Sequence, residues 1–401
     1  MRRDALAFVV LGAILAAAPV ALAQPAEEEP ARAPGWTLTP AVVVGWQWDS
    51  NVAMVPEGFN QEILADQVLL VTPSASLDFQ GRHTTFGAGY SGAVRRYRAV
   101  GELDSYDQRF RAAFAHRPSV RLLVFARGGA ARLPTTEDTE LNGVPFRRTG
   151  SRVINGAGGV EARLTKFTTL RAAYELVDAE FDHERILPTF VLGGRSHGVT
   201  ADLSRRFSER IAFGGVYEVR FARIRTQLGS EDPLTYQIMG GSTRFTLGPV
   251  SSLLIAGGLS TLTDPRFNDT SVGPFLRVSY GHHFERAILN AGYERSFVPT
   301  FGFAASSQTE QLNASLLMPV ARNRAYVQAS TAWRRNDPLL EEDPALKSLW
   351  IGATVGYAIA RMVRVEGFYH NAWQDTPIAG GKVNRHRVGA QLVLSAPVRV
   401  P

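Results

Sequence analysis

Residues 211–223 read IAFGGVYEVRFAR, and two chemistries alternate along them. Ile211, Phe213, Gly215, Tyr217, Val219 and Phe221 share one parity, while Ala212, Gly214, Val216, Glu218, Arg220 and Ala222 share the other. A strand sends successive side chains to opposite faces, whereas a helix would scatter these positions around its axis. The stretch therefore predicts a β-strand with one apolar, aromatic face and one small or charged face. Residues 349–359 repeat the pattern, with Leu349, Ile351, Ala353, Val355, Tyr357 and Ile359 opposite Trp350, Gly352, Thr354, Gly356 and Ala358.

Working outward from these segments, the same period-two alternation predicts eighteen strands, the first over 37–48 and the last over 383–396. A soluble sandwich alternates too. Three further features select a membrane barrel. The strands run to about 10–15 residues, a length suited to a tilted membrane span. Short connections, such as Gly81-Arg82-His83 and Arg117-Pro118-Ser119, alternate with long ones over 49–66, 133–151, 181–194, 225–233, 299–306, 336–346 and 375–382. Aromatic residues gather near strand ends, as interfacial girdles require. Trp46, Trp48, Trp333 and Trp373 lie by the long connections, and Phe79, Phe86, Phe114, Phe207, Phe213 and Phe284 by the short ones. The expected fold is all-β: a transmembrane antiparallel up-and-down β-barrel of about 18 strands, with short turns in the periplasm and long loops outside.

The start of the chain fits export. Met1–Ala23 reads as a cleaved signal peptide, with Arg2 and Arg3 ahead of an apolar run and Ala21-Leu22-Ala23 as the cleavage site. Residues 24–35 are rich in Pro and Glu and are expected to form a periplasmic linker, leaving 36–401 as the barrel. Lysine and arginine total 43 against 37 acidic residues. The basic residues recur singly along the chain, so nucleic acid is not an expected partner. Outer-membrane lipid is. The chain has no cysteine, which excludes disulfides and thiolate metal sites.

The polar parity of each strand is expected to face the lumen. It carries Arg95, Arg109, Arg111, Arg127, Arg171, Arg220, Arg244, Arg277, Arg364 and Arg387, with Glu218, Glu294 and Glu366 among the inward acids. Arg121, Arg163, Arg206, Arg385, Asp78, Asp107, Glu161, Glu175 and Asp202 fall on the same parity. Arginine in excess of carboxylate biases a pore toward anions. Paired Arg and Glu can equally brace the wall. Tyr97, Phe125, Tyr236, Phe275, Tyr326, Trp350 and Phe368 share this parity, and aromatic faces pack on C–H-rich sugar faces.

Catalysis is not expected. Asp182-His183 lies in a long connection and His370 on lumen parity, but no spacing brings a nucleophile, base and orienting acid together. His282-His283 has no spaced third ligand, so neither a metal nor a cofactor is expected.

At Trp46-Gln47-Trp48-Asp49-Ser50-Asn51-Val52 the chain resembles a family of large outer-membrane β-barrel porins associated with exopolysaccharide export, whose first strand ends in an aromatic-Asp-x-Asn-Val/Ile pattern. The resemblance extends to the layout of signal, short linker, about eighteen strands and short Phe/Arg-bearing turns. It implies a passive conduit for a secreted polysaccharide, served by a periplasmic polysaccharide-export protein that lacks its own outer-membrane span. The alternative is a general diffusion porin for small, mildly anionic solutes. One departure is the ending Val398-Arg399-Val400-Pro401, where such barrels usually carry a terminal aromatic residue.

Overall fold

The computed structural model describes residues 35–400, except 58–61, 138–140, 142–143, 183–192, 226–230, 266–268, 302–305, 322–323, 340–344 and 377–380. The signal peptide and nearly all of the linker lie outside the described residues. The strands are β1 (Gly35–Asp49), β2 (Asp66–Gln80), β3 (Thr84–Tyr97), β4 (Ser105–Ser119), β5 (Leu122–Leu133), β6 (Ser151–Arg163), β7 (Thr168–Phe181), β8 (Gly194–Arg206) and β9 (Ile211–Arg225). They continue as β10 (Glu231–Gly248), β11 (Ser251–Asp264), β12 (Asp269–Phe284), β13 (Ala287–Pro299), β14 (Ser306–Val320), β15 (Ala325–Pro338), β16 (Leu346–Ala360), β17 (Val363–Thr376), β18 (Gly381–Ser395) and β19 (Val398–Val400).

From β1 to β18 each strand pairs antiparallel with the next, and β1 closes the ring on β18 and β19. The last two strands form one stave. Ala41 faces Ser395 and Leu38 faces Val398 in a single register, so the barrel has 18 staves. The break at Ala396-Pro397 falls opposite Thr39-Pro40, where prolines remove ladder donors. Ala396 N–H still donates to Pro40 O at 3.1 Å. Closure is obligatory in hydrocarbon, which offers no partner to a free strand edge.

The faces divide as the alternation predicts. Along β1, Val44, Trp46 and Trp48 are exposed while Val43, Gln47 and Asp49 are buried. On β9, Phe213, Tyr217 and Phe221 are exposed and Val216, Ala222 and Ile224 are buried. Exposed apolar side chains thus cover the outer wall from strand to strand. This closed barrel with an apolar outer face is a protein of the bacterial outer membrane.

Several strands run past their expected ends. β4 reaches Ser119 where the alternation predicts 105–115, β10 starts at Glu231 rather than 234 and β12 at Asp269 rather than 271, because pairing continues beyond the apolar belt into water. Connections on the long-loop side shorten accordingly: those between β11 and β12 and between β17 and β18 span only 265–268 and 377–380. The alternation of connection lengths is therefore looser than the sequence suggests.

One seam is incomplete. The β12–β13 ladder ends at Leu276 opposite Arg295, although both strands continue toward the long-loop side. There β13 leans into the barrel. Phe297 N–H donates to Ser260 Oγ of β11 at 3.4 Å, and the Phe297 and Phe301 rings join a buried apolar cluster with Leu234, Tyr236, Leu262 and Phe181.

Candidate functional site

A barrel of this size leaves an aqueous channel unless something fills it. Here the filler comes from the β5–β6 connection, of which residues 134–137, 141 and 144–150 are described. It was expected outside, as a long external loop. Instead it turns into the lumen, because its carboxylate, its carbonyls and its apolar residues all find partners there.

Four anchors fix it. Glu137 accepts hydrogen bonds from Arg385 Nη1 at 2.8 Å and pairs with Arg387 Nη2 at 3.0 Å. Arg385 also donates to Asp49 at the end of β1, at 2.6 Å from Nη2 to Oδ2. Gln374 of β17 accepts from Phe146 N–H at 2.6 Å and donates to Val144 O at 3.3 Å. Arg334 of β15 donates to Leu141 O at 2.9 Å. On the return leg, Arg148 donates to Val52 O and Tyr97 Oη, both at 3.1 Å, and to Leu103 O. Thr136 and Arg147 pair across the base of the loop, Thr136 N–H donating to Arg147 O at 2.9 Å. Val144 completes the apolar cluster that holds Phe297 and Phe301. The segment therefore reaches staves on several sides of the lumen rather than lying against its own.

The Asp49, Glu137, Arg385 and Arg387 group is almost wholly shielded from water, with Asp49 0% and Glu137 3% exposed. Charges so buried persist only when paired and hydrogen-bonded. Two arginines against two carboxylates supply the pairing, Asp49 through both oxygens and Glu137 through Oε1.

The inward arginines are mostly braced. Arg95 meets Asp107 at 2.8 Å. Arg220 bridges Glu175 at 2.9 Å and Glu218 at 3.1 Å, and Arg127 approaches the same Glu175 at 3.8 Å. Arg277 pairs with Glu294 at 3.0 Å. Arg364 donates to Glu366 at 2.5 Å, where Tyr326 Oη and Gln391 Nε2 also donate, each at 2.6 Å. Arg171 stacks over Phe125 with its guanidinium 4.9 Å from the ring centre. Arg109, Arg111 and Arg244 alternate with outward neighbours on β4 and β10, which puts them on the inner face. These residues are spread around the wall rather than gathered at one point.

Asp49 and Glu137 were not among the expected pore residues. The signal for Asp49 was present in the heptapeptide at 46–52: Asn51, two residues on, accepts from Val55 N–H at 2.9 Å and donates to Asn384 O at 3.3 Å, knitting the end of β1 to β18. Glu137 carried no local signal. Of the histidines weighed for chemistry, His183 lies outside the described residues. His370 stacks between Trp350 and Phe368, with ring centres 6.4 and 5.3 Å away. Among the described residues no cluster of three metal-ligating side chains occurs.

No family model matches the chain, and no curated protein does. Solved structures resemble it at the level of overall layout. Pseudomonas aeruginosa OpdQ aligns at TM-score 0.43 and 10% identity, covering 91% of this chain and 98% of that one. The outer membrane protein opdK of Pseudomonas aeruginosa aligns at TM-score 0.43 and 11% identity, covering 90% and 99%. The siderophore receptor PirA of the same organism aligns at TM-score 0.44 and 9% identity, covering 90% and 80%.

Proposed function

We propose that this outer-membrane pore is a diffusion channel for small solutes with a mild preference for anions. One observation carries the reading: the described residues of the β5–β6 connection reach across the lumen and are pinned to β15, β17 and β18, Leu141 O by Arg334, Phe146 N–H and Val144 O by Gln374, and Glu137 by Arg385 and Arg387. A bulky polymer would have to break that whole set, whereas small solutes need only the space beside it. The arginine-rich inner face supports the anion preference. No inner-face residue has a catalytic task in this reading; Arg220, Arg244 and Arg277 would set the potential along the path.

A second reading keeps the polysaccharide conduit. It is favoured by the inner-face stack of Trp350, His370 and Phe368, a surface on which sugar rings can pack. It requires a periplasmic export protein and displacement of the internal loop. The two part company in a strain lacking the gene. The diffusion channel predicts slowed uptake of small anions with unchanged surface polysaccharide; loss of surface polysaccharide with normal uptake would overturn it in favour of the conduit.

A further inference from the structure

On the outer wall, like charges face each other across neighbouring strands. Arg132 of β5 and Arg152 of β6 are direct register partners, as are Arg195 of β8 and Arg223 of β9. Side chains so placed are close neighbours, and like charges there destabilise a sheet. All four are exposed, Arg195 with 64% and Arg223 with 74% of its side chain accessible. Nearby carboxylates answer only part of this charge. Asp178 pairs with Arg195 at 2.6 Å, Glu180 lies 3.6 Å from Arg152 and 3.3 Å from Arg225, and Glu231 lies 3.9 Å from Arg223. Among the described residues these five arginines have three carboxylates within ion-pair distance and Arg132 has none, although Glu102, Asp104 and Asp182 line one pocket with it.

The position of these arginines identifies what completes them. They stand at the long-loop ends of their strands; Arg195 and Arg223 come directly after the register partners His197 and Phe221, whose rings lie 5.7 Å apart, with Tyr174, further down the wall, 6.0 Å from His197. Aromatic rings at a strand end mark the membrane interface, so the guanidinium groups stand at the headgroups of the outer leaflet. Below the Arg132–Arg152 pair the wall is hollow. Gly128 faces Gly156 and Ala126 faces Gly158, while exposed Phe110 and Tyr174 rise on either side. A planar guanidinium presents a fork of donors that matches a phosphate group. A phosphate seated between opposed arginines relieves their repulsion, and an acyl chain attached to it would descend along the glycine-lined strip.

We propose that the β5–β9 sector of the outer wall binds a phosphorylated lipid of the outer leaflet, its phosphate held by Arg132 and Arg152 with Arg195 and Arg223 alongside, and its acyl chain laid over Gly128, Gly156 and Gly158. This depends on the barrel and its orientation, not on what passes through the lumen.

The test is native mass spectrometry of the detergent-solubilised barrel titrated with a bis-phosphorylated acylated disaccharide or with its dephosphorylated form. The wild type should bind the phosphorylated form tighter by roughly tenfold or more. The double variant Arg132→Gln/Arg152→Gln should lose that preference. Gly158→Leu fills the strip without altering charge; a Cβ at Gly158 meets nothing nearer than 3.7 Å, so the wall accepts the change. That variant should weaken both lipids and keep the preference between them. Equal binding of phosphorylated lipid by the wild type and the double variant would overturn the proposal. So would displacement of the lipid by equimolar inorganic phosphate, which would mark a site for free anions.

Discussion

Arg385 of the last full strand fastens onto Asp49 of the first, its guanidinium donating three hydrogen bonds to the carboxylate at 2.6 to 3.0 Å. The contact sits at the seam where the barrel closes, and Glu137 of the internal loop shares the same arginine. One buried group of charges therefore joins ring closure to loop placement.

Asp49→Asn should weaken the closed barrel. Removing one partner of a buried ion pair costs about 3–5 kcal/mol, since the remaining charge stays shielded from water. The urea midpoint of unfolding, followed by gel mobility in lipid, should fall accordingly. Arg335→Gln, which removes a half-exposed pair with Asp337, should move it by less than about 1 kcal/mol.

Glu137→Gln addresses the loop without touching the β1–β18 hydrogen bonds. It removes the negative charge between Arg385 and Arg387 and should loosen residues 134–150. Single-channel conductance in planar bilayers should rise, and unitary currents should become noisier. Unchanged conductance would show that the loop does not limit the path.

Arg220 holds two carboxylates of the inner wall, Glu175 and Glu218. Arg220→Gln leaves Glu175 and Glu218 facing the lumen with their main cation gone. The reversal potential in a salt gradient should move toward cation preference. A unit charge about 8 Å from an ion in water is worth roughly 0.5 kcal/mol, which corresponds to about a twofold change in permeability ratio.

Gly258 marks a tight approach between β10 and β11. A Cβ there would sit 2.1 Å from Met239 O and 2.5 Å from Gly240 Cα, both backbone. Gly258→Ala should cost about 1–3 kcal/mol, the usual penalty of overpacking. Gly367, with nothing within 4 Å of an added Cβ, should accept alanine without loss of folded yield. Thermal stability of the two variants side by side checks the contrast.

The barrel was legible because alternation repeats in every stave and membrane burial leaves no other way to satisfy the backbone. Residues 211–223 and 349–359 show the rule in miniature, and the inner-face positions of Arg220 and Glu218 follow from it. The interior was not legible for a different reason. Glu137 meets Arg385 across 248 positions of sequence, and nothing local distinguishes it from a solvated loop glutamate. Phe297 likewise sits on an outward parity of β13, yet the strand leans inward past the end of its ladder with β12 and carries the ring into the lumen. Long-range contacts decide both cases, and no periodicity encodes them.

The most direct test of the account is osmotic swelling of liposomes containing the purified barrel, measured with solutes graded in size and charge. Small anions and monosaccharides should enter, rates should fall steeply with size, and deleting residues 136–147 should lift the size limit. Oligosaccharides entering the wild-type barrel as fast as monosaccharides, with no change on deleting the loop, would contradict it.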